Sequence, residues 1–142
     1  MTLTLDNRAR LMSACPLFTG LAGAELEAIA AAAVEVDFPA DRVIARQGEI
    51  GTGFFVIVDG GVRVIRDGKV IARLGPGDFF GELSVIDGAP RNAQVVTETE
   101  ARCLGLATWD FERILRETPG IALTVLRVVV ARLRGATDDH RT

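Results

Sequence analysis

The sequence predicts a mainly β domain with helices at both ends, on three observations. Ten of the fifteen glycines lie between Gly48 and Gly88 and punctuate short β-branched runs, the spacing of strands joined by frequent turns. Helical periodicity stands before and after that region. The chain has 142 residues, 49% of them hydrophobic and 25% charged. That is apolar surface enough for a single folded domain over residues 1–142, and too short a chain for two domains.

Taken in order, Asn7 to Ala14 reads as a short helix stopped by Pro16, and Ala22 to Ala33 as an alanine-rich helix with Leu26 and Ile29 on one face. Val34, Val36 and Phe38 alternate with Glu35 and Asp37 in a half-buried strand ended by Pro39. Val43 to Ala45 and Phe54 to Val58 continue the sheet. From Val62 to Leu74 the chain forms a hairpin, because Asp67-Gly68 supplies the two positive φ angles of a type I′ turn. That turn sets Val64 opposite Ile71 and Ile65 opposite Val70. Asp78 to Phe80, the irregular stretch Gly81 to Asn92, and strands Ala93 to Thr97 and Ala101 to Ala107 complete a β region of about 34–107.

Two C-terminal helices follow over about 108–134. Thr108 is placed to cap the first, which turns Phe111, Ile114 and Leu115 inward. Thr118-Pro119 reads as N-cap and first residue of the second, with Gly135 as its terminator and a polar tail over 135–142. Along that helix Ala122, Val125, Leu126, Val129, Val130 and Leu133 form one stripe, and Ile121, Leu123 and Val128 add apolar surface beside it. So much apolar surface calls for deep burial or for a partner on helix 119–134, either a second copy of the chain or an effector protein.

Charge and composition narrow the function. A net charge of -3 supplies no field for a nucleic-acid backbone, so no nucleic-acid partner is expected. The longest apolar run, Ala28 to Val34, falls far short of the roughly 20 residues that span a bilayer. No leader pattern opens the chain, so a cytoplasmic location and no membrane partner are expected. Cys15 and Cys103 fit no metal or redox spacing and read as small buried hydrophobes. The single histidine, His140, leaves no pair of imidazoles for a metal and no scaffolded base for a nucleophile, so neither an enzyme nor a resident metal or cofactor is expected.

The stretch FGELSVIDGAPRNAQVV, residues 80–96, carries the chemistry. Glu82 to Ile86 is one helical turn at most, whose unpaired N–H groups suit an anionic oxygen, and Gly81 lets a ligand approach the backbone. Arg91, between a proline and a strand, is placed to grip a phosphate with two N–H groups at once. Glu82 accepts hydrogen bonds from a sugar hydroxyl. Together they describe a site for a singly phosphorylated sugar, and no Gly-rich loop of the triphosphate or dinucleotide type is present. Charge logic alone leaves open the alternative that Glu82 and Arg91 merely pair with each other as a solvated salt bridge.

This stretch resembles the phosphate-binding cassette of the cyclic nucleotide-binding domain family, the type found in catabolite activators and protein kinase A regulatory subunits. Gln47-Gly48-Glu49, Phe55-Val56-Ile57 before Gly60-Gly61-Val62, Leu74 with Gly77-Asp78, Phe111 and Pro119 fall at the family's spacing too, so residues 14–134 are covered. The resemblance implies a jelly-roll-like β-roll with N-terminal helices and two C-terminal helices. It implies a non-enzymatic sensor of a 3′,5′-cyclic nucleotide, cAMP before cGMP, whose C-terminal helix changes conformation on binding.

In that resemblance Arg91 holds the exocyclic phosphate oxygens and Glu82 the ribose 2′-hydroxyl. Gly81 and the amides of Leu83, Ser84 and Ala93 add contacts, and Val70, Leu74 and Val95 pack against ribose and base. Asn92 stands where a small residue or a hydroxyl is commoner, which bears on the choice between adenine and guanine. A catabolite-activator-like alignment brings Thr137 toward the base. No helix-turn-helix, kinase domain or membrane span accompanies the cassette, so a stand-alone sensor or an excised module is expected. A structural domain with an empty pocket is the remaining alternative.

Overall fold

A computed structural model describes residues 3–18, 20–49, 53–81 and 91–140, with backbone only for Arg132 and residues 136–140. Helix α1 (Leu5–Ser13) begins where the Thr4 hydroxyl accepts a hydrogen bond from the Asn7 N–H at 3.1 Å, satisfying one of the helix's unpaired donors. A 3-10 turn (Pro16–Phe18) leads to α2 (Gly23–Ala32), where Glu25 accepts from the Ala22 N–H at 3.2 Å. Arg8 fastens α1 to the chain entering the sheet, donating to the Ala33 carbonyl at 2.8 Å and facing Glu35, which also accepts from the Leu3 N–H.

Among the described residues the strands are β1 (Val34–Phe38), β2 (Val43–Ala45), β3 (Gly53–Asp59), β4 (Val62–Arg66), β5 (Lys69–Leu74), β6 (Phe79–Phe80), β7 (Gln94–Thr97) and β8 (Ala101–Ala107). They form two antiparallel sheets, ordered β1-β8-β3-β6 and β2-β7-β4-β5, the β-roll the resemblance implied. Helices α3 (Thr108–Glu117) and α4 (Pro119–His140) close the chain.

Strand alternation divides the core. Phe54, Val56, Leu104 and Leu106 point out of the roll onto Phe18, Ile29, Phe111 and Ile121 of the helices, whereas Ile57, Val62, Phe80, Val95 and Cys103 pack between the sheets. Phe54 sits edge-on to Phe18, ring centroids 5.9 Å apart, and 5.2 Å from Phe111. Burying a side chain of this kind contributes roughly 1.5 to 3 kcal/mol, so this triangle helps fasten the helices to the roll. Both cysteines are buried, as expected of small hydrophobes. Thr97, a buried polar side chain, donates to the Pro39 carbonyl at 2.6 Å and accepts from the Arg42 N–H at 2.8 Å, joining the β1–β2 corner to β7.

Four local expectations are corrected. In the hairpin Ile65 faces Val70 as expected, but Val64 faces Ala72; Ile71 is an extra, unpaired residue. Thr108 is the first residue of α3 and not its cap: Ala107 holds the extended cap conformation, and the buried Thr108 hydroxyl has no hydrogen-bond partner among the described residues. Gly135 does not end α4, which continues helical to His140 into the expected tail. A glycine within a helix costs only about 1 kcal/mol, and no proline follows to break the next turn. The face of α4 also differs: Ile121 and Val125 are buried and Val128 and Val129 pack on the core, while Leu126 and Leu133 are 57% and 66% exposed. The cradle of Phe18 and Phe111 receives one edge of the apolar arc and leaves the other outside.

Candidate functional site

Arg91 enters β7 held along both its main chain and its side chain. The Gly48 N–H donates to the Arg91 carbonyl at 2.8 Å, and the Arg91 N–H donates to the Glu49 carbonyl at 2.8 Å. These two hydrogen bonds clamp the main chain of Arg91 to the loop after β2. Its half-buried guanidinium donates from Nη2 to the Gly53 carbonyl at 2.8 Å. Gly81 completes this corner with φ of +94°, and a β carbon there would lie 2.8 Å from both Arg91 Nη1 and the Gly53 oxygen. Only glycine fits, for its backbone angle and for the space the guanidinium takes.

Beside Arg91 opens a cavity of about 390 Å³, lined by Arg46, Glu49 and Arg91 together with apolar Val36, Ile44 and Phe55. Its volume lies in the ordinary range for small-molecule sites, and its mixture of an apolar wall with a few charged groups is the usual chemistry of such sites. Among the described lining residues, two cations stand against one carboxylate, a balance that suits an anionic group.

Other expected site residues fall into three groups. Asn92 is exposed, its carbonyl accepting from Arg66 Nε at 3.1 Å, and Ala93 is buried next to it, so both adjoin Arg91. Val70, Leu74 and Val95 share the β2-β7-β4-β5 sheet and do not line the cavity: Val70 is exposed on β5, Leu74 packs toward the roll interior, and Val95 is buried there. Glu82, Leu83 and Ser84 lie outside the described residues, and of Thr137 only the helical backbone is described. Gly48, Glu49 and Gly53 are site residues that the sequence does not single out. Gln47-Gly48-Glu49 was visible as part of the resemblance, whereas a backbone acceptor at Gly53 has no side-chain signature.

Comparison with known proteins identifies the family and the fold. Residues 35–118 match the family model described as the cyclic nucleotide-binding domain. A cyclic nucleotide-gated potassium channel of Rhizobium etli is 39% identical over 130 residues, 92% of this chain and 36% of the channel. A CRP-like cAMP-activated global transcriptional regulator of Mycobacterium tuberculosis is 30% identical over 134 residues, 91% of this chain and 60% of the regulator. The crystal structure of the Thermus thermophilus catabolite activator protein superposes with a TM-score of 0.82 at 30% identity, covering 89% of this chain and 62% of that one. The chain thus spans only part of each, 36% of the channel and 60% of the regulator.

Proposed function

The chain belongs to the cyclic nucleotide-binding domain family, and from that membership we propose that it is a non-enzymatic sensor preferring cAMP to cGMP. The observation that carries the reading is the fixed Arg91: a clamped main chain and a guanidinium seated against Gly53 and Gly81, at the edge of a cavity suited to an anion. Pre-ordering the arginine lowers the entropy lost on binding. In this reading Arg91 takes the exocyclic phosphate oxygens in a forked, charge-assisted pair. Glu82 takes the ribose 2′-hydroxyl, and the amides of Leu83, Ser84 and Ala93 supply the remaining donors. Val70, Leu74 and Val95, which stand on the β2-β7-β4-β5 sheet outside the wall of that cavity, and Thr137 are proposed for the ribose and base side. The similarity to a cAMP-activated regulator of Mycobacterium tuberculosis supports adenine over guanine.

The exposed edge of α4, with Leu123, Leu126, Val130 and Leu133, is the proposed surface for a second copy of the chain. No described helix is long and apolar enough to cross a membrane. Calorimetric titration of folded protein with cAMP and cGMP, after unfolded samples are checked for carried nucleotide, tests the binding. Micromolar or tighter cAMP binding, several-fold weaker for cGMP, is expected. Heat from neither nucleotide would leave the empty-pocket reading. Sedimentation of wild type and Leu126→Glu tests the dimer, which the substitution should dissociate.

A further inference from the structure

We infer that Gln47 is a positioning residue for Arg91, acting from the tip of the β4–β5 hairpin; the inference rests on the cyclic-nucleotide reading of the site. Gln47 Nε2 donates to Asp67 Oδ1 at 2.9 Å, and the Asp67 N–H donates to Gln47 Oε1 at 3.0 Å. A primary amide carries a donor and an acceptor in one plane, and Asp67 in its positive-φ turn presents the matching pair. Carboxylates lack the donor, so no acidic side chain makes this contact at position 47.

The next two residues, Gly48 and Glu49, make the two hydrogen bonds to the main chain of Arg91. One loop therefore holds the hairpin turn with a side chain and the arginine with its backbone. Arg66, also at the hairpin tip, adds a second strap by donating to the Asn92 carbonyl at 3.1 Å. Hairpin tip, loop 47–49 and residues 91–92 form one hydrogen-bonded unit, although the turn lies far from Arg91 in the sequence. Loop 47–49 is exposed on its other side, so without Gln47 it is free to shift and carry Arg91 with it. Coupling is reciprocal: whatever fixes Arg91 also fixes the turn.

The test uses the whole chain. Gln47→Ala is expected to weaken cAMP binding about five- to tenfold, the scale of one or two solvent-facing hydrogen bonds. In an Arg91→Ala background the same substitution should change affinity less than about twofold, since residues in one network are not additive. Gln47→Glu should weaken binding as Gln47→Ala does, and adding Asp67→Asn should restore it by exchanging donor and acceptor. Amide exchange supplies a ligand-free reading: Gln47→Ala should speed exchange at Gly48 and Arg91 by more than the small loss of global stability from its two hydrogen bonds accounts for. Unchanged affinity and unchanged exchange in Gln47→Ala, or an equal affinity loss with and without Arg91, would overturn the inference. Wild-type protein that binds neither nucleotide overturns the functional reading instead, and the exchange rates then decide the positioning role alone.

Discussion

Arg91 reaches back to the start of β3, its Nη2 donating to the Gly53 carbonyl oxygen at 2.8 Å, while the missing side chain of Gly81 makes room for both groups. A main-chain oxygen is a firm anchor because β3 runs through the centre of its sheet, between β8 and β6. The cation is therefore aimed by a strand end that is itself paired to β8, Gly53 opposite Ala107.

Replacing that cation gives the largest expected effect on binding. Arg91→Ala should cost about 2 to 5 kcal/mol of nucleotide affinity, the range for removing one partner of a desolvated charge pair. Glu82→Ala, which loses one bond to a neutral hydroxyl, should cost on the order of 1 to 3 kcal/mol. Titration calorimetry on both variants checks the order, and equal small losses would place the site elsewhere.

Gly81→Ala should damage stability and binding together. Positive φ costs a side chain about 1 to 2 kcal/mol, and the added carbon must also displace the Arg91 guanidinium or the β3 backbone. Denaturant melts should show that loss of stability, and titration should show at least about tenfold weaker binding. A variant as stable as wild type that binds normally would contradict the geometry of this corner.

Thr97→Val removes a hydroxyl that serves Pro39 and Arg42 at once. The two sides of the β1–β2 corner would keep their polar groups without a partner, at about 1 to 3 kcal/mol of unfolding free energy. Nucleotide affinity should change little, because the corner is not among the residues lining the cavity beside Arg91.

How much of this was legible in the sequence depends on how local each feature is. The β region begins at Val34 and ends at Ala107 as expected, because Val34 to Phe38 alternates strictly and Thr108 opens a new periodicity. Asp67-Gly68 sets its own turn, with φ of 53° and 79°, from two adjacent residues. The extra residue at Ile71 was hidden, since a turn fixes register only nearest to itself and both registers keep apolar residues on β5. The exposed edge of α4 was hidden as well: Leu126 and Val125 look alike in sequence, and the position of Phe18 decides which is buried. In the cassette Arg91 stood out as a cation after a proline, but its acceptor on Gly53 is a carbonyl that every residue possesses.

Cys103 lies between the sheets, where burial, helped by the negative charge of Asp37, pushes its thiol from the ordinary 9.0 up to about 12. The folded state thus keeps the thiol neutral where the unfolded chain would ionise it. Its contribution to stability is whole below about pH 9 and is lost as pH rises from there through about 12. Urea denaturation between pH 7 and 11 should show a decline in wild type that Cys103→Ala lacks, beyond a constant offset from the lost side chain. Thiol reagents at pH 8 should label neither buried cysteine until the protein unfolds.

Helix α4 should respond to ligand, because Ile121 and Val125 tie it to the core shared with β3. A ligand shifts this packing only by its differential affinity for two arrangements. Hydrogen exchange with and without cAMP should show added protection in residues 81–93 and in α4 together. Protection confined to 81–93 would mean that α4 does not settle over the base.

The unpaired Ile71 has a bearing on how the protein behaves at high concentration. Strand β5 ends its sheet and shows Val70 and Ile71 to solvent, which makes it an edge on which another chain's strand could add. A straight edge of this kind seeds polymerisation. The extra residue bends β5 out of line, and Lys69 and Arg73 set charges on either side of the apolar pair, so an incoming strand finds neither an unbroken row of hydrogen-bonding groups nor an uncharged one. The irregularity in the hairpin thus serves as a guard against aggregation.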